Sequence, residues 1–194
     1  MAVSIDWYGF RVVSWIGQAI IGLAAIRRGL RGDWKGGIAL AGVASASFVF
    51  TARQKSLPLL FDLLFPIGAL LNAAGWVWKL FRKPGPYDEI THGFTIFSIT
   101  LALGIRVSSS RLTGLPHHRI RFVAMIASFG LSLGAIWEIF EFWLNKVPGV
   151  RVFDPLGDTI SDMMIDGLGA LLAALLALRL SPDSSGNLRG SPKL

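Results

Sequence analysis

The residues best suited to chemistry are acidic side chains that interrupt long apolar runs. Glu138 and Glu141 are three residues apart, and Asp158, Asp162 and Asp166 follow at four-residue intervals. On a helix, either spacing places the side chains on one face. Carboxylate oxygens are the ligands that hard divalent cations prefer, and an added imidazole extends the choice to borderline cations. The spacing therefore predicts an acidic site shared by two helices.

A histidine near the start of another apolar run completes the predicted ligand set. His92 follows Asp88 and Glu89 at helical spacing. A Glu-x-x-His pair beside further carboxylates is typical of di-metal carboxylate bundles, which use two such pairs where this chain has one. We predict a divalent ion, Mg²⁺, Mn²⁺, Fe²⁺ or Zn²⁺, that activates a water. The predicted metal ligands are His92, Glu138, Asp162 and Asp166, and the predicted general base is Glu141 or Asp158.

The composition identifies the elements that must position these residues. Of the 194 residues, 53% are hydrophobic and 16% are charged, against roughly 25% charged in an average soluble domain. A helix needs about 20 apolar residues to cross a hydrocarbon core of ~30 Å. The apolar runs predict an all-α, polytopic membrane bundle of six transmembrane helices in one domain, residues 1–180, followed by a disordered polar tail, 181–194. The predicted spans are 12–26, 36–52, 57–78, 90–105, 122–144 and 158–178.

The charges on this bundle are distributed unevenly. All 19 Lys and Arg lie outside the predicted spans, whereas six of the 12 acidic residues lie inside them: Asp62, Glu138, Glu141, Asp158, Asp162 and Asp166. An Asp at the centre of a membrane helix costs about 2.5–3.5 kcal/mol. The compensating charge must therefore come from a bound cation, a proton, or an Arg or Lys that reaches in from a loop. Apart from Asp62, these acids lie within roughly 12 Å of one membrane face.

The same composition excludes several classes of protein and suggests partners. The absence of Cys rules out disulfides and thiolate metal sites. The basic residues are spread over the loops instead of forming one stripe, so we expect contact with lipid headgroups and no nucleic-acid binding. Gly and Ala at four-residue spacing predict close packing between helices of one chain, with a homo-oligomer face as the alternative.

Three segments also resemble a known family. WEIFEF (137–142), GDTISDMMIDGLGA (157–170) and THG (91–93) resemble the YjdF-like family of small bacterial inner-membrane proteins. The likeness extends over roughly residues 60–180. The helix that contains the Asp series is also similar to one in VanZ-like membrane proteins. The resemblance implies a multi-pass protein of the bacterial plasma (inner) membrane with a shared polar site, and it brings no settled reaction.

The residues leave three functions open. The first is a metal-dependent enzyme that acts on a lipid or lipid-linked substrate, with the loop from Asn145 to Gly157 covering the site. The second is a cation- or proton-coupled transporter, in which the acids take up and release a charge. The third is a non-catalytic assembly or partner protein. Simpler roles also stay open for single residues: N-capping for Asp158, a hydrogen bond within the bundle for His92, and solvation for Glu141.

Overall fold

The computed structural model describes residues 8–52, 61–109, 118–146 and 156–180. These ranges contain six α-helices, one short 3-10 helix at Leu80–Arg82 and no strand. The predicted all-α fold is therefore confirmed for the described residues. The α-helices are α1 (Tyr8–Leu30), α2 (Trp34–Ala52), α3 (Phe61–Val77), α4 (Tyr87–Ser109), α5 (Arg119–Asn145) and α6 (Leu156–Arg179).

Each predicted span coincides with one of these helices, and the ends differ by about one turn. Among the described residues, three helices are long and apolar enough to cross a membrane, over Tyr87–Ser108, Arg119–Trp143 and Gly157–Arg179. A shorter apolar stretch, Leu64–Gly75, lies in α3. The number of spans before α4 stays a prediction, and the predicted polar tail lies outside the described residues.

The chain divides into two compact units, Met1–Thr91 and His92–Leu194. The first unit contains α1, α2 and α3, which share a core of small and branched residues: Ile21, Ala25, Leu40, Ala69 and Ala73. Arg28 on α1 forms an ion pair with Asp33 at 2.9 Å and donates a hydrogen bond to the Val77 carbonyl at 3.1 Å. The Arg28 guanidinium therefore joins the end of α1 to the end of α3.

The second unit contains most of α4 together with α5 and α6, and small residues let these helices approach closely. A Cβ built on Gly169 of α6 would lie 2.6 Å from the Gly93 carbonyl oxygen of α4. A Cβ on Gly130 of α5 would collide with Thr100 of α4 and Ala170 of α6. These contacts confirm the predicted packing of helices through small residues in this unit.

Buried residues recur at every fourth position along one face of α5. They are Phe122, Ile126, Gly130, Gly134 and Glu138. The corresponding face of α6 contains Asp162, Asp166, Ala170, Ala173 and Ala177. Because residues four apart lie on one face of a helix, both helices present a stripe that is polar at one end and apolar along the rest.

Candidate metal centre

Three helices bring the predicted ligands to one end of the second unit. His92 lies near the start of α4, and Glu138 lies in the last turns of α5. Asp162 and Asp166 lie near the start of α6. Because α5 runs antiparallel to α4 and α6, the end of α5 meets the beginnings of the other two helices. This topology gathers residues that are more than 70 positions apart in the sequence, as the contact between His92 and Asp166 illustrates.

The four predicted ligands are all buried. Their exposed fractions are 8% for His92, 8% for Glu138, 2% for Asp162 and 0% for Asp166. Burial of an ionised carboxylate is costly unless a charge or hydrogen bonds compensate it. Burial of these carboxyl groups therefore requires protonation, hydrogen bonds or a nearby positive charge.

The separations between the ligand atoms are longer than ordinary hydrogen bonds. His92 Nδ1 is 3.5 Å from Asp166 Oδ2 and 3.8 Å from Glu138 Oε1. Hydrogen bonds from N–H to oxygen cluster at about 2.7–3.2 Å. Ligand atoms that surround one divalent ion at about 2.1 Å are themselves roughly 3.0–3.4 Å apart. The Asp166 oxygen therefore lies at the limit of a hydrogen bond to His92, and the Glu138 oxygen lies slightly beyond it.

Carboxylate oxygens of Glu138 and Asp166 have no hydrogen bond to account for their burial. Among the described residues, Oε1 of Glu138 and Oδ1 of Asp166 are buried without a hydrogen-bond partner. The Glu138 carboxylate accepts a hydrogen bond from the Thr159 hydroxyl, is attracted by His92, and is repelled by Asp166 and Asp158. The acids of the site are therefore close enough to repel one another when they are ionised.

Asp162 and Glu141 also have ligand atoms near His92. A carboxylate oxygen of Asp162 and a ring nitrogen of His92 lie within 4.8 Å of each other. Ligand atoms of His92, Glu138 and Glu141 form a group within the same limit. Glu141 is partly exposed and accepts a hydrogen bond from Trp137 Nε1 at 2.9 Å. It therefore lies at the edge of the buried cluster.

Gly134 makes room for the Asp166 side chain. A Cβ built on Gly134 would collide with Asp166 Oδ2 and would lie 2.9 Å from its Cγ and 3.0 Å from its Cβ. The carboxylate of Asp166 consequently rests directly on the backbone of α5. This contact holds the most deeply buried acid of the site beside His92.

Several basic residues of the second unit lie at its other end. Arg106 on α4, Arg121 on α5 and Arg179 on α6 are about 20–25 Å along their helices from the acids, at 1.5 Å per residue. Lys146 lies closer, just beyond the end of α5, where its ammonium group stands 4.6 Å from the centre of the Phe142 ring. The three distant arginines do not supply the compensating charge.

The remaining predictions for single residues have mixed outcomes. Asp158 lies within the first turn of α6, because that helix begins at Leu156. The alternative that it serves as the N-cap is therefore wrong, although its charge still favours a helix start. Most of the loop predicted to cover the site, residues 147–155, lies outside the described residues.

Sequence reasoning missed two residues that contact the acids. Trp137 hydrogen-bonds to Glu141, and Thr159 hydrogen-bonds to Glu138. The available signal for Trp137 was its position four residues before Glu141, inside a predicted span and not at its end. The Thr159 contact joins α6 to α5, and spacing along one helix gives no sign of it.

The chain matches a family described as "Predicted membrane protein (DUF2238)" over residues 10–182. It belongs to this family. All the predicted site residues of this DUF2238 protein lie within the matched range. Together with the apolar helices α4, α5 and α6, the match establishes a helical membrane protein. No curated protein and no solved structure matches the chain.

Proposed function

We propose that this protein is a membrane-embedded, divalent-metal-dependent enzyme that acts on a lipid or lipid-linked substrate. We further propose the YjdF-like relationship, a multi-pass location in the bacterial inner membrane, and metal ligation by His92, Glu138, Asp162 and Asp166. One observation carries the proposal: His92 Nδ1 lies 3.5 and 3.8 Å from two buried carboxylate oxygens, a spacing suited to a shared ion.

Energetics support a cation over an empty acidic cluster. Glu138 and Asp166 each have a buried oxygen that lacks a hydrogen-bond partner within the described part of the chain. Each buried acid costs about 2.5–3.5 kcal/mol on membrane-insertion scales, and folded proteins are stable by only about 5–15 kcal/mol. One divalent ion would neutralise two carboxylates and occupy the unused oxygens. Protonation of the carboxyl groups is the alternative, and it predicts that the purified protein holds no divalent ion at this site.

The roles of the remaining acids follow from their positions. Glu141, which the sequence offers as a general base, has a ligand atom within 4.8 Å of those of His92 and Glu138, so we propose it instead as a fifth ligand. Asp158 is partly buried in the first turn of α6 and interacts electrostatically with Glu138. We assign Asp158 as the general base, which accepts the proton of an attacking water. The divalent ion would supply the Lewis acid that makes this water nucleophilic near neutral pH.

The rest of the second unit favours an enzyme over a transporter. From Leu101 to the end of α4, the buried side chains are apolar except for Ser108, whose hydroxyl donates to the Ile105 carbonyl at 3.0 Å. Phe122 and Ile126 are 0% and 1% exposed. A transport path needs polar groups toward both faces. The buried ionisable groups among the described residues of this unit instead lie at one end: His92, Glu138, Asp162 and Asp166.

Metal analysis of the purified protein tests the proposal. We expect wild-type protein to retain about one divalent ion per chain, and a double variant, Asp162→Asn with Asp166→Asn, to lose it. Asp33→Asn is the matched control, because it removes an acid in the first unit, far from this ligand set in the sequence. An ion content that is equal in all three proteins, or absent from the wild type, would overturn the metal site.

A second measurement separates an enzyme from a transporter. Purified protein is placed in liposomes of bacterial lipid extract, and lipids are analysed by mass spectrometry after incubation with the ion that the metal analysis identifies. An enzyme converts a lipid in the wild type and not in Asp158→Asn. Cation or proton flux across the vesicles without lipid conversion would contradict the enzyme and establish the transporter.

A further inference from the structure

We propose that Trp137 is a positioning residue, whose indole N–H holds Glu141 in the orientation of a metal ligand. This inference rests on the metal site proposed above and adds to it a residue outside the acidic set. Trp137 donates a hydrogen bond to Glu141 Oε1 at 2.9 Å. The group that receives this hydrogen bond is the same carboxylate that approaches His92 and Glu138.

The chemistry of the carboxylate allows both interactions at once. A carboxylate has two oxygens with about four acceptor positions, so one oxygen can accept the indole N–H while the other binds an ion. Groups that hydrogen-bond to ligating carboxylates orient the ligands and contribute to metal affinity. The indole has one N–H and no acceptor, so it cannot compete as a ligand.

The position of Glu141 explains why it needs such an anchor. Glu138 is buried, Glu141 is partly exposed, and Trp137 is 38% exposed. Glu141 therefore lies at the edge of the buried face of α5, where a flexible side chain could turn outward to the headgroup layer. The Trp137 ring is itself held by the Phe140 ring, with centroids 5.6 Å apart at 44°. The indole thus offers a fixed donor at the border between the site and the outer surface of α5.

Ion affinity and indole fluorescence together test the proposal, with Co²⁺ as the probe. An ion bound at about 2.1 Å to the other oxygen of Glu141 would lie within roughly 7 Å of the indole nitrogen. A paramagnetic ion at that range quenches indole emission. We therefore expect Co²⁺ to quench wild-type fluorescence, and Trp137→Phe to lose that component and bind Co²⁺ about 10–100-fold more weakly.

Trp143→Phe is the matched control, because Trp143 lies on the same helix and is 64% exposed. It removes an indole and should leave both the Co²⁺ affinity and the quenched component unchanged. Equal Co²⁺ affinity in Trp137→Phe and Trp143→Phe, with Co²⁺ still bound, would overturn the role of Trp137 and leave the metal site standing. Failure of the wild type to bind Co²⁺ more tightly than the Asp162→Asn, Asp166→Asn protein would overturn the metal site itself, and this inference with it.

Discussion

Replacement of Gly134 by alanine tests whether close packing between α5 and α6 holds the acidic site together. The new Cβ would lie 2.9 Å from Asp166 Cγ and 3.0 Å from Asp166 Cβ, where ordinary contact begins at 3.4 Å. Rotation of the carboxylate relieves only part of this collision, because the Cβ of Asp166 moves only with the backbone of α6. The two helices therefore have to separate by about half an ångström.

Two effects of this separation are measurable. Overpacking of a well-packed interior costs about 1–3 kcal/mol, which lowers the Tm by several degrees in a chain of this size. A displacement of about half an ångström also reaches the tolerance of about 0.5 Å within which a preorganised site must be held. We therefore expect Gly134→Ala to bind a divalent ion at least about 10-fold more weakly than the wild type.

Gly167→Ala provides the control for the alanine itself. Gly167 lies next to Asp166 on α6, and a Cβ there would meet only Leu131 Cδ1, at an ordinary 3.7 Å. Both variants gain the roughly 0.5–1 kcal/mol by which alanine stabilises a helix over glycine. The difference between them therefore isolates the collision with Asp166. Equal Tm values and equal ion affinities in Gly134→Ala and Gly167→Ala would refute the packing argument.

Three further outcomes follow from the structure. Removal of the ion by a chelator should lower the Tm of the wild type and not that of the double variant, since an ion present at 100 times its Kd stabilises by about 2.7 kcal/mol. Gly130→Ala should lower the Tm because its Cβ would collide with Thr100, and an unchanged Tm would contradict the packing of α4 against α5. Arg28→Gln loses both the Asp33 ion pair and the Val77 hydrogen bond. We expect it to destabilise by about 1 kcal/mol in thermal unfolding, because the pair is partly exposed and weakly stabilising.

Sequence patterns predict the helices and the general place of the acids well. The apolar runs identify each α-helix because a run of about 20 apolar residues has few alternatives to a membrane helix. The four-residue spacing of Asp162 and Asp166 predicts a shared face, and both side chains are buried on α6. Helix periodicity carries this information because it depends on one helix at a time.

Contacts between helices are less predictable from the same patterns. The distance from His92 to Asp166 depends on how far α4 slides and rotates against α6, which no spacing within either helix specifies. Gly134 is an example. A glycine in an apolar helix predicts a close contact with another helix, but it does not predict that Asp166 is the residue in contact. Trp137 is a similar case, since an indole in an apolar run usually indicates lipid contact and here also serves as a donor.

The regular buried stripe of α5, from Phe122 to Glu138, restricts how this segment of the chain can change in length. One inserted residue would turn everything beyond it by about 100°, so that an insertion before Trp137 would rotate the Glu138 carboxylate away from His92 and bring Trp137 to the position that Glu138 now occupies. Natural length variation and engineered tags should therefore be tolerated between helices and rejected inside this one, whichever residue is inserted.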